Sequence, residues 1–363
     1  MKKVFRNSFA IQQIPLVFGM EFVFLMFLFL NTGCKKQKSP TPEMPTDNLS
    51  VSAPGLKGKI YLDGRYTGYS TPHNFLTEAG KHTVGVGVDA DSTYLRKTVT
   101  VPEDGKADVQ LTQADRQKAK IWKVLFVGIY HAANSSGTDV LSYQKSDLDL
   151  AFDFLKYSFH KYIEPDTYHT IKWEFYRQDI MKDTVRTNSN NLLSPELFQK
   201  YMPGLKTGEY DLVIPFYRFE GDAQHPSLGT FNGMAWYDVH SLYCTASYYM
   251  IRYYSDVASH IQYMKENDPG MFVHEWCHTI TEQFYNIKYY PDHGYPMPDP
   301  NLGGGSVVHA ASGYGYSAPW MTWYHDLISG QVKSKKSDTY LGVGPDAFLK
   351  CTIREYATSQ CSK

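Results

Sequence analysis

The chain has 363 residues, 36 of them basic and 37 acidic, for a formal net charge of −1 at neutral pH. That length is enough for two or three domains with sizeable cores. The balanced charge, with no long basic run in the body of the chain, argues against nucleic acid as a partner, and the 15% aromatic content with 29 tyrosines suits an exported protein that meets peptides or sugars.

Residues 1–34 read as an export signal. Lys2, Lys3 and Arg6 form a basic start, and an apolar stretch runs from Ile14 to Leu30, broken by Glu21. Its uninterrupted part, Phe22 to Leu30, is too short to cross a bilayer as a stable helix. Leu30-Asn31-Thr32-Gly33-Cys34 closes the segment. It resembles a bacterial lipoprotein signal, in which a small residue precedes a cysteine that becomes acylated. The leucine sits four positions before Cys34 rather than three. The resemblance implies lipidation at Cys34, a membrane anchor and a place in the bacterial cell envelope; an uncleaved anchor is the alternative. Residues 35–49, rich in Lys, Ser, Pro and Thr, then read as a flexible tether.

Residues 50–112 alternate between apolar and polar positions and carry turn signals, as a small all-β domain does. Lys59–Asp63, Thr83–Val88, Leu95–Val101 and Ala107–Leu111 are the expected strands, with Gly64, Thr71-Pro72 and Pro102–Gly105 as turns. Tyr61-Leu62-Asp63-Gly64, Gly68, Thr71-Pro72 and Gly80-Lys81-His82-Thr83-Val84 resemble the PEGA domain. That resemblance covers about sixty residues and implies an accessory module, with possible glycan or envelope-protein contact and no catalysis. His73 and His82 are therefore expected to be surface or turn residues. Residues 113–120 are polar and read as a linker.

From 121 to 363 apolar runs alternate with helical patterns. Lys123–Tyr130, Ile171–Tyr176 and Asp211–Tyr217 read as strands, Asp147–Phe159 and Asp256–Glu266 as helices, and an edge strand is expected between Gly229 and Tyr249. The expected fold class is α+β: a small all-β domain, then an α/β domain with a mixed sheet and an active-site helix. The helix is set by Val273-His274-Glu275-Trp276-Cys277-His278-Thr279. Residues four apart share a helical face, so two imidazoles there can hold one metal ion. Glu275 lies about 100° round the helix from His274 and roughly 60° from His278, beside the metal without binding it, where the base for an attacking water belongs.

Asp268 is a suitable N-cap and Pro269 a suitable first helical residue. Val273, Trp276, Cys277, Ile280, Phe284 and Ile287 form the buried stripe. A core helix with two hydrogen-bonded histidines is the alternative reading. The order of elements resembles the upper half of a zincin, which implies a zinc metallopeptidase whose edge strand pairs with extended substrate.

A tetrahedral Zn²⁺ needs a third protein ligand. Phe284 stands where metzincins place their third histidine, so that class is excluded. His309, after Leu302-Gly303-Gly304-Gly305, ranks first; His293 ranks second, and Asp299 or Glu282 would supply an oxygen. The stretch from His274 through His309, Tyr314-Gly315-Tyr316 and Trp320 to Trp323-Tyr324-His325-Asp326 resembles a loosely characterised group of HExxH proteins. In that group a histidine matches His309, whereas Ser312 stands where an acidic residue is common. Tyr314 or Tyr316 could donate to the oxyanion, packing being the alternative role for either. His325 is expected to be structural.

The leading expectation is a zinc peptidase acting on protein or peptide substrates. The alternatives are a non-catalytic binding or scaffold lipoprotein and a zinc amidohydrolase acting on a cell-wall or glycan-linked amide. Cys351 and Cys361 could close a short loop, and Cys277 is expected to be a buried apolar residue.

Overall fold

The computed structural model describes residues 47–219, 233–236, 247–253, 256–285, 296–298 and 305–361. Cys34, Cys244, Ile287, His293 and Asp299, with the rest of residues 1–46 on which the export-signal and most of the tether readings fall, lie outside the described residues. Residues Thr46–Lys363 form one compact unit. Its class is mixed α+β. Among the described residues no helix is long and apolar enough to cross a membrane.

The N-terminal part is built from β1 (Leu49–Ser52), β2 (Gly58–Leu62), β3 (Arg65–Ser70), β4 (His73–Phe75), β5 (Gly80–Val88), β6 (Thr93–Val101) and β7 (Ala107–Gln110). A four-stranded antiparallel sheet runs β3-β2-β5-β6, and a second sheet runs β4-β1-β7, with β1 antiparallel to β4 and parallel to β7. Leu62 pairs with Arg65 across a two-residue turn. Asp63 and Gly64 in that turn both have positive φ, which is the Asp-Gly hairpin chemistry that matches the twist of the strands. His82 is tied down by Asp63 at 2.8 Å. Leu49, Val51, Ile60, Val84, Val86 and Leu95 fill the space between the sheets.

The C-terminal part is organised on one sheet. Its strands are β8 (Lys120–Ala133), β9 (Val140–Ser142), β10 (Ile171–Arg186), β11 (Leu212–Arg218), β12 (Gly233–Trp236) and β13 (Ser247–Tyr253). The order is β10-β8-β11-β13-β12, with β9 paired to β8. β10, β8, β11 and β13 are parallel, and β12 is antiparallel to β13 at the edge.

A central parallel strand is buried on both faces, and β8 divides its side chains accordingly. Trp122, Val124 and Phe126 pack into the larger core; Leu125, Val127 and Ile129 pack into a second core on the other face. The larger core is closed by α1 (Lys145–Ser158), which continues through a π-turn into α2 (Glu164–Asp166), while α3 (Pro195–Gln199) brings Phe198 to the second core. Beyond the sheet follow α4 (Val257–Asn267), α5 (Met271–Tyr285), a 3₁₀ helix (Gly305–Tyr314), α6 (Met321–Ser329), the ribbon β14 (Val332–Lys333) with β15 (Tyr340–Leu341), α7 (Pro345–Lys350) and α8 (Ile353–Ala357).

Cys351 and Cys361 are joined by a disulfide, with Cα atoms 5.4 Å apart, and Cys277 is free and buried. Asp211, fully buried, accepts from the Arg354 side chain at 2.8 Å and from the Lys123 amide at 2.7 Å. The chain's C-terminal region is thereby fastened to the central strand.

The segment between the two parts is bonded along its length. Arg116 bridges to Leu95, and the Gln117 amide donates to the Tyr94 carbonyl at 2.9 Å. Tyr61, Tyr94 and Tyr168 form a small buried cluster across the junction. The Tyr61 hydroxyl donates to the Ser329 carbonyl at the end of α6 (2.9 Å) and accepts from Gln331 (3.0 Å).

Candidate metal centre

α5 begins two residues later than the sequence suggests. Asp268 ends α4 instead of capping α5. Its carboxylate accepts from the Gly270 amide at 3.3 Å, and Pro269 and Gly270 make the turn. Gly270 packs closely there: a Cβ would approach Tyr324 Cε2 to 2.9 Å, so the ring would have to shift. Past the turn the expected stripe is buried: Val273, Trp276, Cys277, Ile280 and Phe284 are at most 1% exposed. His274 and His278 emerge on another side of the helix, partly exposed.

His309 comes from the 3₁₀ helix and meets them. One ligating atom from each of His274, His278 and His309 lies within 4.8 Å of the other two. The His274 and His278 Nε2 atoms are 3.0 Å apart, and the His309 ring centroid is 5.1 Å from that of His274 and 4.9 Å from that of His278. The rings are aimed by their other nitrogens. His278 Nδ1 donates to the Gly305 carbonyl at 2.5 Å, and His274 Nδ1 is 2.9 Å from the Tyr324 hydroxyl.

A carbonyl can only accept, so His278 Nδ1 carries the proton and Nε2 of the neutral ring presents a lone pair. Burial, with His278 and His309 adding to it, takes the His274 pKa down to about 3. Burial takes that of His278 down to about 4, the Gly305 bond opposing it; partial desolvation also lowers that of His309, the exposed member of the three. Neutral imidazoles whose lone pairs converge are what a cation requires of its ligands. The three histidines therefore form a group that can hold a metal ion.

The chain matches no protein-family model and no curated protein. What the centre can do follows from its own geometry.

Glu275 faces the cleft beside the histidines. The cleft has a volume of about 200 Å³ and is lined by Met234, Ala235, Glu275, His278, Gly305, Ser306 and His309. Glu275 is 6% exposed, and its Oε2 is buried with no hydrogen-bond partner among the described residues. Burial pushes its pKa up to about 8. Strand β12 lies against it so closely that a Cβ on Gly233 would run into the carboxylate.

The remaining sequence candidates fall elsewhere. Tyr314 packs against Trp323, with the Lys335 ammonium 4.6 Å from its ring centroid. The Tyr316 hydroxyl donates to Asp326 at 2.6 Å. Neither tyrosine lines the cleft. His325 pairs with Asp166 at 2.8 Å, a structural contact between α6 and α2. Glu282 accepts from the Gly305 amide at 2.9 Å and is not part of the ligand group.

Sequence reasoning missed Gly233, Gly305 and Tyr324. Tyr324 stood inside a quoted motif, and Gly305 inside a glycine run read only as a turn. Gly233 carries no local signal, since its role arises from strand-to-helix approach.

Proposed function

We propose that the protein is a zinc-dependent peptidase of the bacterial cell envelope. The carrying observation is the juxtaposition of three converging imidazoles with a buried, unpartnered carboxylate on one small cleft. In this reading His274, His278 and His309 hold Zn²⁺. When bound, the ion supplies Lewis acidity, which acidifies a water molecule and polarises the scissile carbonyl.

Glu275 takes the proton from the attacking water and passes it to the leaving amine. Its position suits the exchange: burial raises its affinity for a proton in the free site, its ionised form, the one that can accept a proton, is restored beside a bound cation, and Gly233 leaves room for it beside the strand. β12, at the sheet edge and antiparallel to β13, offers an extended substrate backbone partners for its amides and carbonyls, as in the zincin arrangement. The Nδ1 bonds of His274 and His278 keep the ligating nitrogens turned inward, as is common for metal-bound histidine. The export-signal reading of residues 1–34, with Cys34 lipidated, supplies the proposed location. An intact Glu275 favours catalysis over a binding role, because a scaffold gains nothing from a costly buried carboxylate.

The test is a peptide-library digest with zinc-loaded protein and with Glu275→Gln. The parent should cleave in a chelator-sensitive manner. The variant should retain zinc by elemental analysis and lose about 10²–10⁴-fold in rate, the usual scale of general acid–base catalysis. A fully active variant, or a parent that carries no metal, overturns the proposal. Cleavage of cell-wall amides in place of peptides would move the substrate class.

A further inference from the structure

His274, His278 and Glu282 stand at four-residue intervals on α5, which places them on one face. The third member does something different from the first two. Glu282 Oε2 accepts the Gly305 N–H at 2.9 Å, while His278 Nδ1 donates to the Gly305 carbonyl at 2.5 Å. Gly305 is thus held at both of its backbone groups by side chains one helical turn apart.

Gly305 is also the buried first residue of the 3₁₀ helix, and His309 sits four residues further along it. The N–H groups at a helix start have no partner within the helix; here a carboxylate from another element satisfies one of them.

We infer that Glu282 is a positioning residue of the metal centre: by fixing Gly305 it places His309 opposite the α5 pair, without being a ligand itself. The inference rests on the reading that the three histidines hold one ion.

Two alternatives would make Glu282 important for other reasons. It could bind the ion directly, or it could act at a distance through its negative charge. A carboxylate serves either of those roles far better than an amide, which carries no charge and is a weak ligand for zinc. The backbone N–H of Gly305, in contrast, can be accepted by an amide oxygen at the same reach, and cannot be reached by a carboxylate one methylene shorter. The order of variants therefore separates the three roles.

The experiment measures the Zn²⁺ dissociation constant of the full chain by chelator competition for the parent, Glu282→Gln, Glu282→Asp, Glu282→Ala and His309→Ala, with the melting temperature of each metal-free protein alongside. Glu282→Gln should stay within about threefold of the parent, while Glu282→Asp and Glu282→Ala weaken zinc by about 10–100-fold, the range for residues supporting a ligand. Adding Glu282→Ala to His309→Ala should cost less than Glu282→Ala costs in the parent, since one of the two imidazoles that Gly305 helps to place is already gone.

Zinc held better by the Asp variant than by the Gln variant would overturn the inference and make the charge itself the active feature. Parental affinity in Glu282→Asp and Glu282→Ala would also overturn it. Should Glu282→Ala fail to fold, the Gln and Asp pair still decides. Unchanged affinity in His309→Ala would instead sink the three-histidine reading, a separate failure.

Discussion

Taking the Glu275 carboxylate out of water raises its pKa from 4.5 to about 8. Between those values the metal-free folded protein binds more protons than the unfolded chain, so stability falls as pH rises. The contribution is complete below pH 4.5 and lost as pH passes through 8. In chelator-treated protein, Glu275→Gln should therefore melt progressively higher than the parent from pH 4.5 to 8, by on the order of 5 °C at the top of the range. The histidine contributions, which fade on acidification below 6.5, are common to both proteins and cancel. Parallel melting curves would mean that the carboxylate is hydrated in solution. Gly233→Ala tests the same neighbourhood sterically. It should cost about 1–3 kcal/mol of stability, as overpacking does, and at least tenfold in cleavage with zinc retained; unaltered kinetics would refute the close approach. His274, Glu275 and His278 were legible in the sequence because metal chemistry demands fixed residue types at helical spacing. Gly233 was not, since its requirement exists only after a strand from elsewhere in the chain meets α5.

Among the elements, α6 supports the centre from behind. Tyr324, 5% exposed, reaches the Nδ1 of His274, and Trp320 lies 6.4 Å from the same imidazole, ring to ring. Tyr324→Phe deletes one hydroxyl and keeps the packing, so it should weaken zinc by about 10–100-fold with the fold intact by circular dichroism. Parental affinity would show that the ring is aimed by packing alone. β8, the start of β10, β11 and α5 were readable from apolar runs and from the three- and four-residue stripe, whereas β13, the remaining parallel strand, was not. β1 alternates but has only four residues and begins inside the polar tether, and β3 and β4 lack a clean alternation, so all three went unread. The start of α5 was misplaced because Asp268 suits the end of one helix as well as the start of the next.

At the scale of the molecule, the N-terminal sheets and the C-terminal sheet share contacts that are apolar and polar at once. Arg96 pairs with the buried Asp346 at 2.6 Å; Tyr168 donates to Asp89 at 2.9 Å; Tyr61 is fully buried among Tyr94 and Tyr168. Scanning calorimetry should accordingly record one unfolding transition for residues 47–361, and Tyr61→Ala should lower it by about 3–5 kcal/mol. Two separate transitions would show that the parts fold independently. None of these pairings was visible beforehand, since each joins residues far apart in sequence, and two of the three do so through tyrosines that composition alone assigns to a surface. α6 meets the N-terminal sheets at its far end, where Ser329 receives Tyr61, and the histidine cluster at its middle, where Tyr324 touches His274. That rod makes the N-terminal sheets a buttress: on the proposed reading, anything that prised them loose, whether a crosslinker or an antibody, would be felt as a quicker escape of a bound ion.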